Sequence, residues 1–350
     1  MCDTKTAVMS RKTLGSLGEV IATACCRVDL AGGTLDLWPL YLFHENSVTV
    51  NLGVNIMTSC RVTPRNDERI SLLSRDTGRN EEFADLNTLL AAKKYKHALA
   101  AHMLRFFRPE GGLTIETHSE SPAGAGISGS SALMIATTAA LARYTGRKLS
   151  LEETRVIAQN VEAQVINVPT GCQDYYPALY GGVSAIHLQA DGIHREAIDV
   201  APEEVEKRFV LAYTGAPRQS GINNWEVFKA HINGDKKVQK NFDRIAEIAQ
   251  GMHEALVARD WKQVEHLLGE EWKQRRTNAP TISTPLIEKL MAVSRRNGGR
   301  AAKVCGAGGG GCVVFFVEEG AHQRVSSALT DAGGTVLPFA VARKGLRVQG

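Results

Sequence analysis

The chain has 350 residues, of which 43% are hydrophobic and 22% are charged. This composition allows a large buried core, and the length predicts about two domains. The formal net charge is +4, from 41 basic and 37 acidic residues. Because that imbalance is small, no strong field favours nucleic acid or an anionic membrane surface, and we expect neither as a partner.

The seven cysteines are odd in number and form no C-x-x-C pair, which argues against a disulfide framework and a structural zinc site. We expect reduced, mostly buried thiols in a cytoplasmic protein. The N-terminal segment has no apolar stretch long enough for a signal peptide or a membrane span. Its Ser, Thr and Lys content predicts a flexible arm at residues 1–18.

The first third of the chain is predicted to be rich in strands. Residues 47–64, SVTVNLGVNIMTSCRVTP, alternate as a strand does, and a short turn leads into RISLLSR at 69–75. Residues 95–107 carry apolar side chains at helical spacing. Residues 112–119, GLTIETHS, alternate again and predict another strand.

Two predicted helices follow. The first covers 132–146, ALMIATTAALARYTG, and ends at its glycine. The second begins with a capping box, SLEE at 150–153, and continues to about residue 165. Both helices flank, in sequence, a loop that is rich in glycine and serine.

The second half changes character near residue 200. RFVLAYTG at 208–215 predicts a strand. An amphipathic helix is predicted over 241–256, and a further helix over 260–276. Thr284 before Pro285 is typical of a helix N-cap with proline in the first turn. The stretch AAKVCGAGGGGCVVFFVEE at 301–319 predicts a strand interrupted by a glycine loop, and a final helix and strand follow.

The stretch PAGAGISGSSAL, residues 122–133, joins a predicted strand to a predicted helix. Its glycines allow the backbone to point successive N–H groups at one spot, and the helix N-terminus adds further donors and a positive dipole end. These features favour a phosphate site, with Ser130 and Ser131 as ligands for phosphate or magnesium. A turn that only caps the helix is the alternative. The stretch is neither a Walker loop nor a dinucleotide fingerprint.

Two other stretches decide between these alternatives. The pattern P-x-x-x-G-[LI]-x-x-S-S-A lies between them in the chain. The earlier stretch is RVDLAGGTLDL at 27–37, and the later one is KVCGAGGGGCVVFF at 303–316. In this order the three resemble the motifs of the GHMP kinases, the superfamily of galactokinase, homoserine kinase, mevalonate kinase and phosphomevalonate kinase. Segments 167–188 and 270–311 are similar to the sugar 1-kinase branch, with heptose 7-phosphate kinases, fucokinases and galactokinases. The resemblance spans nearly the whole chain.

The resemblance implies an α+β fold with two GHMP kinase domains. We expect an N-terminal domain at 19–200 with a left-handed βαβ unit, like domain 2 of ribosomal protein S5, despite the general preference for right-handed crossovers. We expect a ferredoxin-like C-terminal domain at 201–350. ATP would bind between the domains, with Mg²⁺ as its metal, and the protein would be a monomer or homodimer.

The resemblance also assigns catalytic roles. Asp174 matches the catalytic aspartate, which would accept the proton of the acceptor hydroxyl. A carboxylate that caps a loop is the structural alternative. Arg27 matches the arginine that lies beside that aspartate in galactokinase, where a cation would keep the aspartate ionised and offset developing charge.

The resemblance places the nucleotide on both glycine-rich loops. Ser131 would hold Mg²⁺ with Glu162, whose position on a solvated helix face is an alternative explanation of that carboxylate. The expected nucleotide-binding residues are Pro122, Gly124, Gly126, Ser128, Gly129, Ser130, Ser131, Ala132, Gly306, Gly308 and Gly309.

The expected acceptor site is a sugar or sugar phosphate site. Asp36 matches the aspartate that accepts hydrogen bonds from sugar hydroxyls. Gly33 and Thr34 stand where galactokinase has a Glu-His pair, and G-G-T-L-D also differs from the G-G-G-T-D of heptose kinases, so the exact sugar stays open. Arg218 is a candidate for a substrate phosphate, with a plain surface arginine as the alternative. Trp38 either stacks on a sugar or packs in the core or rim.

Three functions therefore compete. The favoured function is an ATP-dependent kinase that phosphorylates the anomeric hydroxyl of a heptose 7-phosphate or a related sugar. The second keeps the fold and changes the acceptor to a non-sugar such as mevalonate. The third is a non-catalytic sensor of ATP or sugar, against which the presence of Arg27, Ser131 and Asp174 argues.

Overall fold

The computed structural model describes residues 18–216, 220–278 and 280–350. It contains the following strands: β1 Val20–Ala31, β2 Val48–Pro64, β3 Ile70–Ser74, β4 Arg79–Phe83, β5 Leu113–Ser119, β6 Val183–Gln189, β7 Gly192–Ile198, β8 Phe209–Tyr213, β9 Gly299–Val304, β10 Cys312–Val317, β11 Thr335–Leu337 and β12 Arg347–Gln349.

The α-helices are α1 Leu86–Ala91, α2 Ala98–Phe107, α3 Gly129–Tyr144, α4 Leu151–Ile166, α5 Tyr175–Tyr180, α6 Pro202–Glu206, α7 Ser220–Ile232, α8 Lys236–Val257, α9 Trp261–Arg275, α10 Pro285–Arg296 and α11 His322–Asp331. Short 3₁₀ turns occupy Leu40–Phe43 and Pro280–Ile282. Among the helices of the described residues, none is both long enough and apolar enough to cross a membrane.

The first sheet has eight strands, with β12-β1-β2-β5-β3-β4 in order and β6 and β7 attached to β2. Strand β2 is long enough to pair with β5 near its end and with β6 near its start. Strands β3 and β5 are parallel, with β4, α1 and α2 between them in the chain. A parallel pair needs a long crossover connection such as this one, and the expected left-handed βαβ unit stays a prediction.

Helix α3 packs on β1 and β2 at the centre of this half of the molecule. Twelve of its residues are buried, and many of them are alanines. A helix that is apolar on all sides needs to be covered on all sides. The loop that precedes α3 is therefore attached to one of the best-packed elements of the molecule.

The second sheet has four strands in the order β11-β8-β10-β9, and every neighbouring pair is antiparallel. Counted along the chain, this is the order fourth, first, third, second. With helices between the first and second strands and between the third and fourth, it confirms the expected ferredoxin-like arrangement.

Two elements that follow residue 200 in the chain pack on the first sheet. The amphipathic helix α8 lies in the chain between β8 and β9, yet it packs on β1 and β2 of the first sheet. The C-terminal strand β12 returns to the first sheet and pairs with β1. The predicted division into 19–200 and 201–350 stays a prediction, and of the predicted arm only Gly18 lies within the described residues.

Most predicted elements are found with small changes in their bounds. The capping box at Ser150 and Glu153 is present, Thr284 accepts a hydrogen bond from the N–H of Ile287, and Pro285 opens α10. The helix expected over 95–107 begins only at Ala98, after His97 without a side-chain cap. The six cysteines that the structure describes are all buried, as expected, and none of them is in a disulfide.

Candidate active site

A cavity of about 450 Å³ lies where the end of β1, the glycine-serine loop at 122–128, the start of α3 and the residues before α5 meet. The expected site residues that line it are Arg27, Gly33, Thr34, Asp36, Pro122, Gly124, Gly126, Ser128, Gly129, Ser130, Ser131, Glu162, Asp174 and Gly306. Residues from five separated stretches of the chain are therefore brought to one place.

Arg27 and Asp174 form an ion pair on the floor of this cavity. The Nε and Nη2 atoms of Arg27 donate to Oδ1 of Asp174 over 2.8 and 2.5 Å. Arg27 is almost completely buried, whereas the side chain of Asp174 is 28% exposed and faces the cavity. Nη1 of Arg27 also donates to the carbonyl oxygen of Gly126 over 2.9 Å. The pair is thus tied to the glycine-serine loop.

Asp29 and Lys303 lie beneath this pair and are fully buried. Nζ of Lys303 donates to Oδ2 of Asp29 over 2.5 Å, and Nη1 of Arg27 donates to Oδ1 over 3.3 Å. Burial alone raises the pKa of the Asp29 carboxyl, but the charges of Lys303, Arg27 and Arg275 reverse this and hold its pKa below its ordinary range. The buried charges therefore connect β1 of the first sheet with β9 of the second.

The glycine-serine loop has the backbone of an anion-binding nest. Gly124, Gly126 and Ser128 have φ values of +70°, +78° and +62°, so every second residue is left-handed. Helix α3 starts directly after Ser128, and its first N–H groups have no acceptor within the helix. The hydroxyl of Ser128 is buried and has no hydrogen-bond partner among the described residues. This loop has the donors that a phosphate group requires.

The second glycine loop, residues 305–311, supports the first one. The N–H of Cys312 donates to the carbonyl oxygen of Ala125 over 2.7 Å, and the N–H of Gly306 donates to Oδ1 of Asp29 over 2.9 Å. A Cβ on Gly311 would lie 2.6 Å from the Ala125 carbonyl oxygen. Only glycine permits the two loops to approach this closely.

Glu162 is buried at the nucleotide end of the cavity. Its carboxylate accepts a hydrogen bond of 2.7 Å from the hydroxyl of Tyr175. Burial raises its pKa, while hydrogen bonds from Tyr175, Ser130 and Ser131 act in the opposite direction. No basic side chain of the described residues forms an ion pair with it. A carboxylate and two hydroxyls without a cation are the hard oxygen donors that Mg²⁺ prefers, so these residues fit the expected metal.

Asp36 lies at the other end of the cavity. It is 4% exposed and accepts a hydrogen bond of 2.9 Å from the N–H of Gln173, the residue before Asp174. Burial, helped by the charge of Asp174, raises the pKa of Asp36 to about 6. Nearby, Arg275 donates to the carbonyl oxygen of Gly33 over 2.9 Å and to the hydroxyl of Thr34 over 3.3 Å.

Three of the expected nucleotide-binding residues do not line the cavity. Ala132 is buried within α3 and does not line the cavity. Gly308 and Gly309 lie against Ile282, whose carbonyl oxygen accepts from the N–H of Gly309 over 2.8 Å. Arg218 lies outside the described residues. Trp38 is 70% exposed, so it is not a core residue.

The sequence did not reveal which side chains pair with the expected site residues. Asp29, Arg275 and Tyr175 form hydrogen bonds with expected site residues. Lys303 and Glu271 in turn pair with Asp29 and Arg275. One signal was present, because a lysine in the apolar strand AAKVC and an aspartate in RVDLA are unusual unless they are paired. Which residues pair is decided only when β1, α9 and β9 are packed together.

Family models and solved structures agree with this architecture. The model described as "GHMP kinases N terminal domain" matches residues 90–182, and the model described as "GHMP kinases C terminal" matches residues 252–335. Together they match about half of the chain. A galactokinase of Lactococcus lactis, solved in complex with galactose, has the same fold, with a TM-score of 0.75, 17% identity and coverage of 95% of each chain.

Two curated relatives differ in how much of the chain they match. The D-glycero-alpha-D-manno-heptose 7-phosphate kinase of Campylobacter jejuni is 26% identical over 92% of this chain and 96% of its own length. The mevalonate kinase of Thermococcus sibiricus is 29% identical over 68% of this chain and 69% of its own length.

Proposed function

This chain belongs to the GHMP kinases, and on that premise we propose that it is an ATP-dependent kinase that transfers the γ-phosphoryl group of ATP to a sugar hydroxyl. The observation that carries the proposal is the ion pair of Arg27 and Asp174 in the same cavity as the nest at 124–128. A binding protein has no need of a partly exposed carboxylate held at a phosphate site by a buried arginine.

Each group has a task that phosphoryl transfer requires. The nest and the start of α3 bind the phosphates of ATP through backbone N–H groups. The partly exposed carboxylate of Asp174 accepts the proton of the attacking hydroxyl, and Arg27 fixes its orientation through two hydrogen bonds. Asp36 accepts hydrogen bonds from other hydroxyls of the acceptor and so positions it.

Magnesium would be held by Ser131 and Glu162, with Ser130 beside them. When bound, Mg²⁺ neutralises charge on the phosphate oxygens. Tyr175 keeps the Glu162 carboxylate oriented through its hydroxyl. The chain's own contribution is a rigid, mostly buried set of oxygen donors next to the phosphate nest.

The proposed acceptor is the anomeric hydroxyl of a heptose 7-phosphate or a related sugar. It rests on the heptose 7-phosphate kinase that matches over 92% of the chain, whereas mevalonate kinases match over 68%. A buried carboxylate such as Asp36 also suits an acceptor with neighbouring hydroxyls. A non-sugar acceptor is the second candidate, because the mevalonate kinase matches at a slightly higher identity of 29%.

The experiment is a panel of acceptors in which ADP release is measured with ATP and Mg²⁺ present. The panel contains aldoses, their terminal phosphates and mevalonate, and Asp174→Asn is run in parallel to subtract ATP hydrolysis by contaminants. We expect acceptor-dependent ADP release with a sugar or sugar phosphate. Release with mevalonate alone would assign the second candidate, and no release with any acceptor would contradict the proposal.

A further inference from the structure

A second cluster of titratable side chains lies away from the proposed active site. His187 of β6, Glu196 of β7 and His253 of α8 each offer one ligand atom, and these atoms all lie within 4.8 Å of one another. Nε2 of His187 is 2.9 Å from Oε2 of Glu196, and Nε2 of His253 is 3.2 Å from the same oxygen. Two nitrogens and one oxygen therefore converge on one point.

The fold brings these residues together from both halves of the chain. In the antiparallel pair of β6 and β7, His187 stands opposite His194, so Glu196 is two residues farther along and on the same face. The ring of His253 meets the ring of His187 edge to face, with centroids 5.2 Å apart. Helix α8 thus closes the third side of the cluster.

His253 is the member of the cluster whose ring nitrogens lack hydrogen bonds within the described part of the chain. Its side chain is only 12% exposed, and neither of its ring nitrogens has a hydrogen-bond partner among the described residues. Nε2 lies 3.2 Å from Oε2 of Glu196, a contact that is an ion pair only when the ring is protonated. Leaving a buried polar group unpaired costs free energy. A cation between the three ligand atoms would give this nitrogen a partner.

We propose that His187, Glu196 and His253 form a binding site for a divalent transition-metal ion, with Zn²⁺ as the ion that suits it best. Imidazole nitrogen suits zinc, copper and nickel, whereas magnesium and calcium prefer oxygen ligands. Two histidines and one carboxylate with an open fourth position are a common zinc ligand set. An ion could reach the cluster from solvent, because the side chain of Glu196 is 48% exposed and that of His187 is 24% exposed.

The ion would fasten α8 to the β6–β7 hairpin. The hairpin comes before β8 in the chain, and α8 comes after it. The metal would therefore join the N-terminal and C-terminal halves of the chain, at a point separate from the buried charges around Asp29. The expected effect is on stability, because an ion that binds only the folded state shifts unfolding in proportion to its occupancy.

The test uses full-length protein without an affinity tag, dialysed against a chelator. Zn²⁺ binding is measured by calorimetry, and Co²⁺ is used as a spectroscopic probe of nitrogen and oxygen ligation. We expect one equivalent of Zn²⁺, a visible Co²⁺ absorption band that Zn²⁺ displaces, and a rise in Tm with Zn²⁺.

Three variants and one control locate the site. Removing a residue that only hydrogen-bonds to a metal ligand typically weakens metal binding about 10–100-fold. Removing a ligand itself, in His187→Ala or His253→Ala, should therefore weaken Zn²⁺ binding by about 100-fold or more. Glu196→Gln changes a half-exposed side chain, so it should fold even if the histidine variants fold poorly. It should also weaken Zn²⁺ binding. His266→Ala, which removes an exposed histidine of α9, should bind as the natural chain does. Equal affinity in Glu196→Gln, or no Co²⁺ band in the natural chain, would overturn the proposal.

Discussion

At the residue scale, two carboxylates of the proposed active site have different surroundings. Asp174 pairs with a buried arginine and keeps one side exposed to the cavity. Asp36 has no cationic partner within hydrogen-bond distance among the described residues and receives a backbone N–H instead. The first arrangement suits a base that must meet a hydroxyl. The second suits a group that binds hydroxyls and is sensitive to pH.

The role of Asp174 is tested by Asp174→Asn. The amide keeps the shape of the side chain but cannot accept a proton, so we expect turnover to fall by about 10²–10⁴-fold. ATP affinity, measured by calorimetry, should stay close to that of the natural chain, because the nest residues are unchanged. Asp191→Asn, at an exposed hairpin, is the control. Near-normal turnover in Asp174→Asn would remove Asp174 from the mechanism.

Asp36 gives a prediction on pH. Because its pKa is raised to about 6, the carboxyl becomes protonated as the pH falls from 7 to 5 and then accepts fewer hydrogen bonds. We therefore expect the acceptor KM to rise over this range at saturating ATP and Mg²⁺. Asp36→Asn, which cannot titrate, should bind the acceptor weakly at every pH. The same pH dependence in that variant would show that another group is responsible.

At the element scale, β1, α9 and β9 are joined by charged side chains that the solvent does not reach. Lys303 of β9 lies 3.8 Å from Oε2 of Glu271 on α9 and donates to Asp29 of β1. Glu271 also accepts a hydrogen bond from Arg275 over 2.8 Å. Such pairs add little stability over an apolar core, but removing one partner leaves a buried charge. The cost of breaking them is therefore large.

Asp29→Ala should lower the free energy of unfolding by about 3–5 kcal/mol, because Lys303 then loses its closest counter-charge. Denaturant titration monitored by circular dichroism measures the change. Combining Asp29→Leu with Lys303→Met should recover part of the loss, since no unpaired charge remains. Glu203→Ala, which removes an exposed pair with Arg343, should change stability little. A small effect of Asp29→Ala would contradict the assigned pairing.

The contact between the two glycine loops has a matched pair of variants. Gly311 and Gly320 have nearly the same φ, +79° and +78°, but only Gly311 would place a Cβ against a backbone oxygen, that of Ala125. Both alanine variants incur backbone strain of about 1–3 kcal/mol. Only Gly311→Ala should also raise the KM for ATP, because it moves the nest. If the two variants had the same KM for ATP, the contact of the glycine loop would have no role in nucleotide binding.

At the scale of the whole molecule, local signals predicted the elements and tertiary packing decided the connections. The capping box at Ser150 and the strand predicted over 47–64 depend on neighbours in sequence, and both were confirmed. The return of β12 to β1 and the docking of α8 on the first sheet depend on contacts across more than 150 residues, and the sequence held no signal for them. The expected site residues came from the resemblance, whereas Asp29 and Lys303 became visible only in the packed structure.

The central claim, that this cavity transfers a phosphoryl group to an anomeric hydroxyl, is tested most directly by the position of the phosphate in the product. The protein is incubated with ATP, Mg²⁺ and the sugar or sugar phosphate that releases ADP, and the mixture is examined by phosphorus NMR and a reducing-end assay. We expect a new phosphate coupled to the anomeric proton and a matching loss of reducing ends. A phosphate on a primary hydroxyl, with the reducing end intact, would contradict the claim.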